Sequence, residues 1–154
     1  MCERIKGDMR VKKMIGIIVA AHGEMSKGLI ETSRMIVGHA ENMATVDLLE
    51  GEGPESLRDK LKKAVESLDS GEGVMVLLDL YGGTPSNVSA LLARELNIEV
   101  VSGVNLPMLL EIIVKRASKN LKELRQVAMY AGKEGIRSIN EIVEKIESEI
   151  KEGQ

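Results

Sequence analysis

Short apolar runs alternate with amphipathic stretches along most of the chain. The apolar runs predict four β-strands, at residues 14–20, 44–49, 74–79 and 98–102. The amphipathic stretches that follow them predict four helices, at residues 25–37, 54–68, 85–96 and 106–117. This alternation indicates βαβ units. Because the strands are continuously apolar, they favour a parallel sheet covered by helices on both faces.

Three more segments follow the fourth βα unit. A helix is predicted near residues 121–132, residues 135–139 read as a short last strand, and a Glu-rich helix is predicted from Asn140 onward. We therefore predict an α/β fold with three layers, doubly wound around a mostly parallel sheet. Residues 13–154 are expected to form a single domain. Residues 1–12 mix charges without periodicity and are expected to form a flexible tail.

Composition narrows the function. The chain has two Tyr and no Phe or Trp, so aromatic platforms for stacking bases or flavin are nearly absent. The net charge is −3 and no basic stripe is present, so we predict no nucleic-acid partner. The lone Cys2 can form no intrachain disulfide and is interpreted as inert. Because the apolar run at 14–21 is too short to span a membrane, a cytoplasmic location is expected.

His22 and Asp79 are the best candidates for chemistry. Each follows an apolar run, and in doubly wound sheets ligands collect at the carboxyl ends of strands where the strand order reverses. In a sheet of order 2-1-3-4, the ends of the first and third strands are neighbours, so we expect the two side chains to meet. A carboxylate that accepts one ring N–H leaves the other ring nitrogen nucleophilic and favours the positive ring of a phosphorylated imidazole.

Donors for phosphoryl oxygens are predicted on both sides of this pair. The helix after His22 begins near Gly23, Glu24 and Met25, where unpaired backbone N–H groups and a positive dipole end are expected. Gly83 and Thr84 belong to a GGTP loop at residues 82–85, which offers close backbone approach and a hydroxyl group. These five residues form the predicted phosphate-binding set.

Other motifs carry less information. His39 follows Gly38 at a helix end and is interpreted as a solvent-facing side chain. Neither a GxxxxGK[ST] loop nor a GxGxxG motif is present, and two His with one Cys give no convincing zinc set. We predict no metal and no cofactor.

Three segments together resemble the IIA domain of the mannose family of the bacterial sugar phosphotransferase system (PTS). They are IIVAAHG at 17–23, LLDLYGGTPSN at 77–87 and GVNLPMLLE at 103–111, and the resemblance covers nearly all of residues 13–140. It implies that His22 is phosphorylated, on Nε2, while Asp79 holds Nδ1–H and Thr84 lies near the phosphate. The implied donor is phospho-HPr, and the implied acceptor is a IIB protein that serves a IIC/IID sugar permease in the membrane.

The resemblance also implies a homodimer in which a fifth, antiparallel strand crosses to the partner's sheet, and residues 135–139 match that strand. The chain ends after a charged helix, so we expect a free-standing IIA protein. Tyr81 stands where Trp is also common in the family. The leader is longer than the family needs, so Met14 is an alternative start.

Three alternatives stay open. The same fold serves dihydroxyacetone kinases, where a IIA-like subunit passes its phosphate to a kinase-bound nucleotide. A response-regulator receiver would use Asp79 as acceptor, but it needs an acidic pair after the first strand, where this chain has Ala21 and His22. A flavodoxin-like carrier needs a phosphate loop there and aromatic flanking residues. The transported sugar is not encoded in a IIA protein that handles only phosphohistidines.

Overall fold

The structure is a computed structural model that describes residues 13–153. The predicted tail at residues 1–12, with Cys2, lies outside the described residues. Within the described range, the elements follow in the order β1 (Gly16–His22), α1 (Met25–Val37), β2 (Met43–Leu48), α2 (Pro54–Leu68), β3 (Val74–Leu78), α3 (Gly83–Leu92), β4 (Ile98–Ser102), α4 (Leu106–Lys115), α5 (Leu121–Glu134) and α6 (Ile139–Glu152). None of these helices is both long and apolar enough to cross a membrane.

The four strands of the described range form one parallel sheet in the order β2-β1-β3-β4. The predicted α/β class and strand order are confirmed. Since β1 lies between β2 and β3, the chain reverses its winding direction there. The carboxyl ends of these three strands therefore meet at one edge of the sheet, which we call the carboxyl edge.

Helices cover both faces of the sheet. On one face, the core joins alternate residues of β1, β3 and β4 to α1, α4 and α5, with Ile17, Leu77 and Leu109 fully buried. On the other face, the alternate residues pack against α2 and α3, through side chains such as Ile18 and Leu61. Because both faces are covered, the central strands are buried along nearly their whole length, which explains their continuous apolar sequences.

Helix boundaries are predicted best where the sequence carries a stop or start signal. α1 ends at Val37, before Gly38 with its positive φ of 81°, and α2 begins at Pro54, and both helices match the predicted ranges. α3 differs from its prediction, because residues 93–96 continue as tight turns after Leu92 rather than as helix.

The first strand is shifted by two residues from its predicted range. Met14 does not join the strand, because its backbone exchanges hydrogen bonds with the Ser70 hydroxyl instead of with a neighbouring strand. At the other end, the parallel pairing with β2 continues to His22 opposite Leu48. His22 is therefore the last residue of β1, where its backbone is held more firmly than in a loop.

The predicted fifth strand at residues 135–139 is not formed in this single chain. α5 ends at Glu134, just before Gly135, residues 136–138 are irregular, and Ile139 already begins α6. A strand needs a neighbour to hydrogen-bond with, so exchange of this segment in a dimer stays a prediction.

Candidate functional site

His22 and Asp79 contact each other at the carboxyl edge, although they lie 57 positions apart in the sequence. The Asp79 Oδ2 oxygen is 2.8 Å from the His22 ring nitrogen Nδ1 and 2.8 Å from the His22 backbone nitrogen. β1 ends at His22, and Asp79 directly follows β3, so the pairing of these two strands produces the contact. One carboxylate oxygen thus fixes both the main chain and the ring of the histidine.

The two partners differ in exposure. The Asp79 side chain is 8% exposed, whereas the His22 side chain is 55% exposed. Burial acts to raise the pKa of the Asp79 carboxyl group, but hydrogen bonds from the His22 backbone, the His22 ring and the Leu80 backbone at 2.8 Å outweigh it. The pKa of Asp79 therefore lies below its ordinary value, and the carboxylate is ionised at neutral pH.

An ionised carboxylate can only accept hydrogen bonds, so Nδ1 of His22 is the donor in this contact. The neutral ring then carries its lone pair on Nε2. Since the ring is half exposed, Nε2 is the nitrogen available to a reaction partner.

Two helices begin beside the His22–Asp79 pair. α1 begins at Met25 after Glu24, and α3 begins at Gly83 after Gly82; neither N-cap residue caps its helix with its own side chain. The first backbone N–H groups of a helix have no partner inside the helix, and this end carries a partial positive charge. Both helix ends can therefore donate hydrogen bonds to an anion at the carboxyl edge.

Gly82 and Gly83 adopt backbone conformations that other residues rarely reach, with φ of 109° and 66°. A Cβ on Gly82 would meet nothing within 4 Å, so glycine is required there by the turn and not by crowding. The Gly82 N–H already donates to the Ser86 hydroxyl at 2.8 Å. The donors that α3 can offer to a ligand hence begin at Gly83.

An open cavity of about 650 Å³ lies next to His22. One wall is formed by the loop after β3, with Leu80 and Tyr81, and by the start of α3, with the predicted residues Gly83 and Thr84. The cavity is much larger than a phosphoryl group, so it has room for a side chain of a second molecule.

The other predicted phosphate ligands lie outside the cavity lining. Gly23, Glu24 and Met25 are exposed and follow His22 directly, but they are not part of the cavity lining. His39 is exposed beyond the C-terminal end of α1, which places it at the opposite edge of the sheet. Among residues 13–153, no group of three or more His, Cys, Asp and Glu side chains is placed to hold a metal ion.

Sequence reasoning missed the second cavity wall, which is the loop after β2. Residues 49–52 line the cavity together with Leu48 and Leu57. The predicted strand order could have indicated this wall, because in a 2-1-3-4 sheet β2 ends beside β1, and the loop after β2 therefore lies near His22. Glu50 and Glu52 are charged, and charged loop residues by themselves indicate only solvated surface.

Comparisons with known proteins agree on one family. The family model EIIA-man, described as "PTS system fructose IIA component", matches residues 16–129. The PTS system fructose-specific EIIA component of Bacillus subtilis is 32% identical over 136 residues, covering 88% of this chain and 93% of the relative. The PTS system mannose-specific EIIAB component of Escherichia coli is 34% identical over 127 residues, or 81% of this chain. The chain spans only 39% of the length of that relative.

Solved structures show the same similarity. The phosphotransferase system component EIIA of Streptococcus agalactiae superimposes with a TM-score of 0.75 at 33% identity, over 82% of this chain and 98% of that one. The PTS IIA protein associated with the fucose utilization operon of Streptococcus pneumoniae gives a TM-score of 0.72 at 32% identity, over 84% and 96% of the two chains. With this fold, this match over residues 16–129 and these relatives, the chain belongs to the EIIA-man family, the IIA components of the phosphotransferase system.

Proposed function

We propose that this protein is a phosphocarrier of sugar uptake, which accepts a phosphoryl group from phospho-HPr on Nε2 of His22 and passes it to a IIB protein. The observation that carries the proposal is the 2.8 Å contact between Nδ1 of His22 and the buried, ionised Asp79. This contact leaves Nε2 as the nucleophile at the open side of the ring.

The transfer balances as follows. The lone pair on Nε2 of His22 attacks the phosphorus atom of the donor's phosphohistidine. A new P–N bond forms, the P–N bond to the donor breaks, and its electron pair returns to the donor imidazole. The His22 ring then bears a positive charge, which the Asp79 carboxylate stabilises while it holds Nδ1–H. In the second transfer, the acceptor's nucleophile attacks the phosphorus atom, the P–N bond to His22 breaks, and its electron pair returns to Nε2.

The phosphoryl oxygens need donors during both steps. The backbone N–H groups at the start of α1, near Gly23, Glu24 and Met25, and those of Gly83 and Thr84 at the start of α3 are the proposed donors, with the Thr84 hydroxyl. The position of Gly83 and Thr84 in the cavity wall supports this assignment for α3.

The names of these relatives support sugar transport over the dihydroxyacetone kinase pathway, since they specify fructose, mannose or sorbose. A receiver-like role for Asp79 fits poorly, because both Asp79 oxygens already accept hydrogen bonds and the side chain is largely buried. The proposed exchange with HPr and IIB, with the IIC/IID permease downstream, corresponds to a cytoplasmic location.

The test is direct phosphorylation. The protein is incubated with phosphoenolpyruvate, enzyme I and HPr, and mass spectrometry then locates an acid-labile phosphate. We expect one phosphate, on His22, that is lost when a IIB protein is added. Label on Asp79 or on His39 contradicts the proposal.

We also propose a homodimer. In the described part of the chain, β4 pairs only with β3, so its outer edge is available to another strand. α6 buries none of its residues and presents an exposed aliphatic stripe with alternating spacings of three and four, formed by Ile139, Val143, Ile146 and Ile150. Such a stripe favours burial against a second copy.

Sedimentation at micromolar concentration tests the dimer. We expect a dimer for the natural chain and a shift toward monomer for Ile146→Glu, because a carboxylate in the stripe opposes its burial. Ser148→Glu places the same charge away from this stripe and serves as the matched control. A monomeric natural chain contradicts the proposal.

A further inference from the structure

The loop after β2 forms one wall of the cavity beside His22, and hydrogen bonds and an ion pair hold it in place. Leu49, Glu50, Gly51 and Glu52 line the cavity. The loop turns back on itself, because the Glu52 N–H donates to the Leu49 carbonyl at 3.2 Å and Gly51 has a positive φ of 73°. Its shape is therefore fixed by its own backbone and by what holds Glu52.

Glu52 is held inside this loop by three neighbours. Its side chain is 9% exposed, and its Oε1 oxygen lies 2.8 Å from the Lys60 ammonium and 2.9 Å from the Ser56 hydroxyl. Its Oε2 oxygen accepts from the Leu49 N–H at 3.4 Å. The hydrogen bond from Lys60 is the main cause that keeps the pKa of Glu52 below its ordinary value.

Lys60 ties the loop to the rest of the site. The same ammonium donates to the Asp47 carbonyl at 2.7 Å, at the end of β2. The Asp47 carboxylate accepts from the Ser26 hydroxyl at 3.0 Å, and Ser26 is fully buried in the first turn of α1, just after His22. Lys60 thus links the cavity wall to the strand and helix that frame His22.

The charges around the cavity indicate that Lys60 does not contact a phosphoryl group directly. Among the described residues that line the cavity, two are acidic, Glu50 and Glu52, and none is Lys or Arg. Lys60 is not among the residues that line the cavity, and its ammonium group is paired with the Glu52 carboxylate. Its charge is therefore directed at the loop and not at the space where a phosphoryl group would lie.

We infer that Lys60 and Glu52 are positioning residues, which hold the Leu49–Glu52 wall in place for a protein phosphodonor. This inference rests on the proposed function. A phosphohistidine carried by a protein must enter the cavity with its flanking surface, and that surface meets the wall. A small phosphodonor reaches Nε2 of His22 without needing the wall.

The test measures two donors on one set of variants. Phosphorylation of His22 is followed with phospho-HPr over a range of concentrations, and separately with phosphoramidate, a small phosphoryl donor. For Lys60→Met we expect KM for phospho-HPr to rise about tenfold, as for loss of a hydrogen bond to a charged group, with kcat changed by less than about twofold. The rate with phosphoramidate should stay near that of the natural chain.

Two further variants sharpen the result. Lys63→Met removes an exposed lysine three positions further along α2 and should leave both rates unchanged, which controls for net charge. Glu52→Gln keeps the side-chain shape but loses the charge, so it should raise KM in the same direction by a smaller factor. It also serves if Lys60→Met fails to fold, which thermal unfolding of each variant reveals.

The outcomes separate the two proposals. If Lys60→Met slows both donors equally, Lys60 acts on the phosphoryl group itself and the positioning role is wrong. If neither Lys60→Met nor Glu52→Gln changes KM, the wall does not guide the donor and the inference also fails. If the natural chain takes phosphate from phosphoramidate but none from phospho-HPr, the proposed function fails, and the positioning role falls with it.

Discussion

The two edges of the sheet are built in opposite ways. At the amino edge, where the strands begin, polar side chains donate hydrogen bonds to backbone carbonyl groups. Arg116 is 5% exposed and donates to the carbonyls of Glu41 at 2.6 Å and Ile15 at 3.2 Å. Asn42 donates to the carbonyls of Met14 and Leu68, at 3.1 and 3.0 Å.

The carboxyl edge keeps its polar groups available instead. The His22 ring is half exposed, two helices begin without side-chain caps, and an open cavity lies between two loops. The contrast indicates that the two edges of one sheet have different roles. The amino edge contributes to stability, and the carboxyl edge is open, as the proposed phosphoryl transfer requires.

Removing the proposed nucleophile should give the largest difference between the two edges. We expect His22→Ala to abolish phosphoryl acceptance from phospho-HPr while the fold remains intact, because no other group at the carboxyl edge combines a free ring nitrogen with a carboxylate partner in the described residues. His39→Ala, at the opposite edge, should retain nearly full acceptance. Acid-labile phosphate incorporation measures both, and full labelling of His22→Ala contradicts the assignment.

Asp79→Asn should act on rate rather than on structure. An amide can still contact the ring, but it can donate to Nδ1 and thereby favour the proton on Nε2, which is the wrong tautomer for attack. We expect phosphotransfer from phospho-HPr to slow by about 10² to 10⁴. Rapid-quench kinetics give the rate and circular dichroism the fold. Transfer at the natural speed means that Asp79 does not orient His22.

Arg116→Met should lower the stability of the fold without changing the rate of phosphorylation. It leaves buried backbone carbonyls at the amino edge without their donor, so we expect the free energy of unfolding to fall by about 1–3 kcal/mol. The rate of His22 phosphorylation should not change at temperatures where the variant is folded. Urea denaturation provides the measurement, with the exposed Arg94→Met as control. A slower reaction in folded Arg116→Met shows that the two edges are not independent.

The smallest expected effect is on stability in acid. Because the pKa of Asp79 is lowered in the folded state, the ionised carboxylate stabilises the fold above the ordinary Asp value of about 3.9, and this contribution is lost as the pH falls through the lower folded value. The difference in unfolding free energy between the natural chain and Asp79→Asn should therefore be constant near pH 5 and shrink toward pH 3. Urea denaturation across this range checks it, and a difference independent of pH rules out the lowered pKa.

The His22–Asp79 pair was predictable because it follows from topology alone. Two strand ends that are neighbours at a switch point bring together the side chains at those ends, whatever the conformation of the intervening loops. The second cavity wall was equally implied by the strand order, but the hydrogen bonds of Glu52 and Lys60 were not, because charged residues on loops and helices usually face solvent.

The sequence by itself determined the elements that rest on local signals. The alternation of apolar runs predicts the parallel sheet, and Gly38 and Pro54 mark the end of α1 and the start of α2. Tertiary structure alone decided which charged groups are buried. Arg116 lies 101 positions from Ile15 and 75 from Glu41, and no local pattern records such distant carbonyls. The same holds for residues 135–139, since a strand exists only where a hydrogen-bonding neighbour is present.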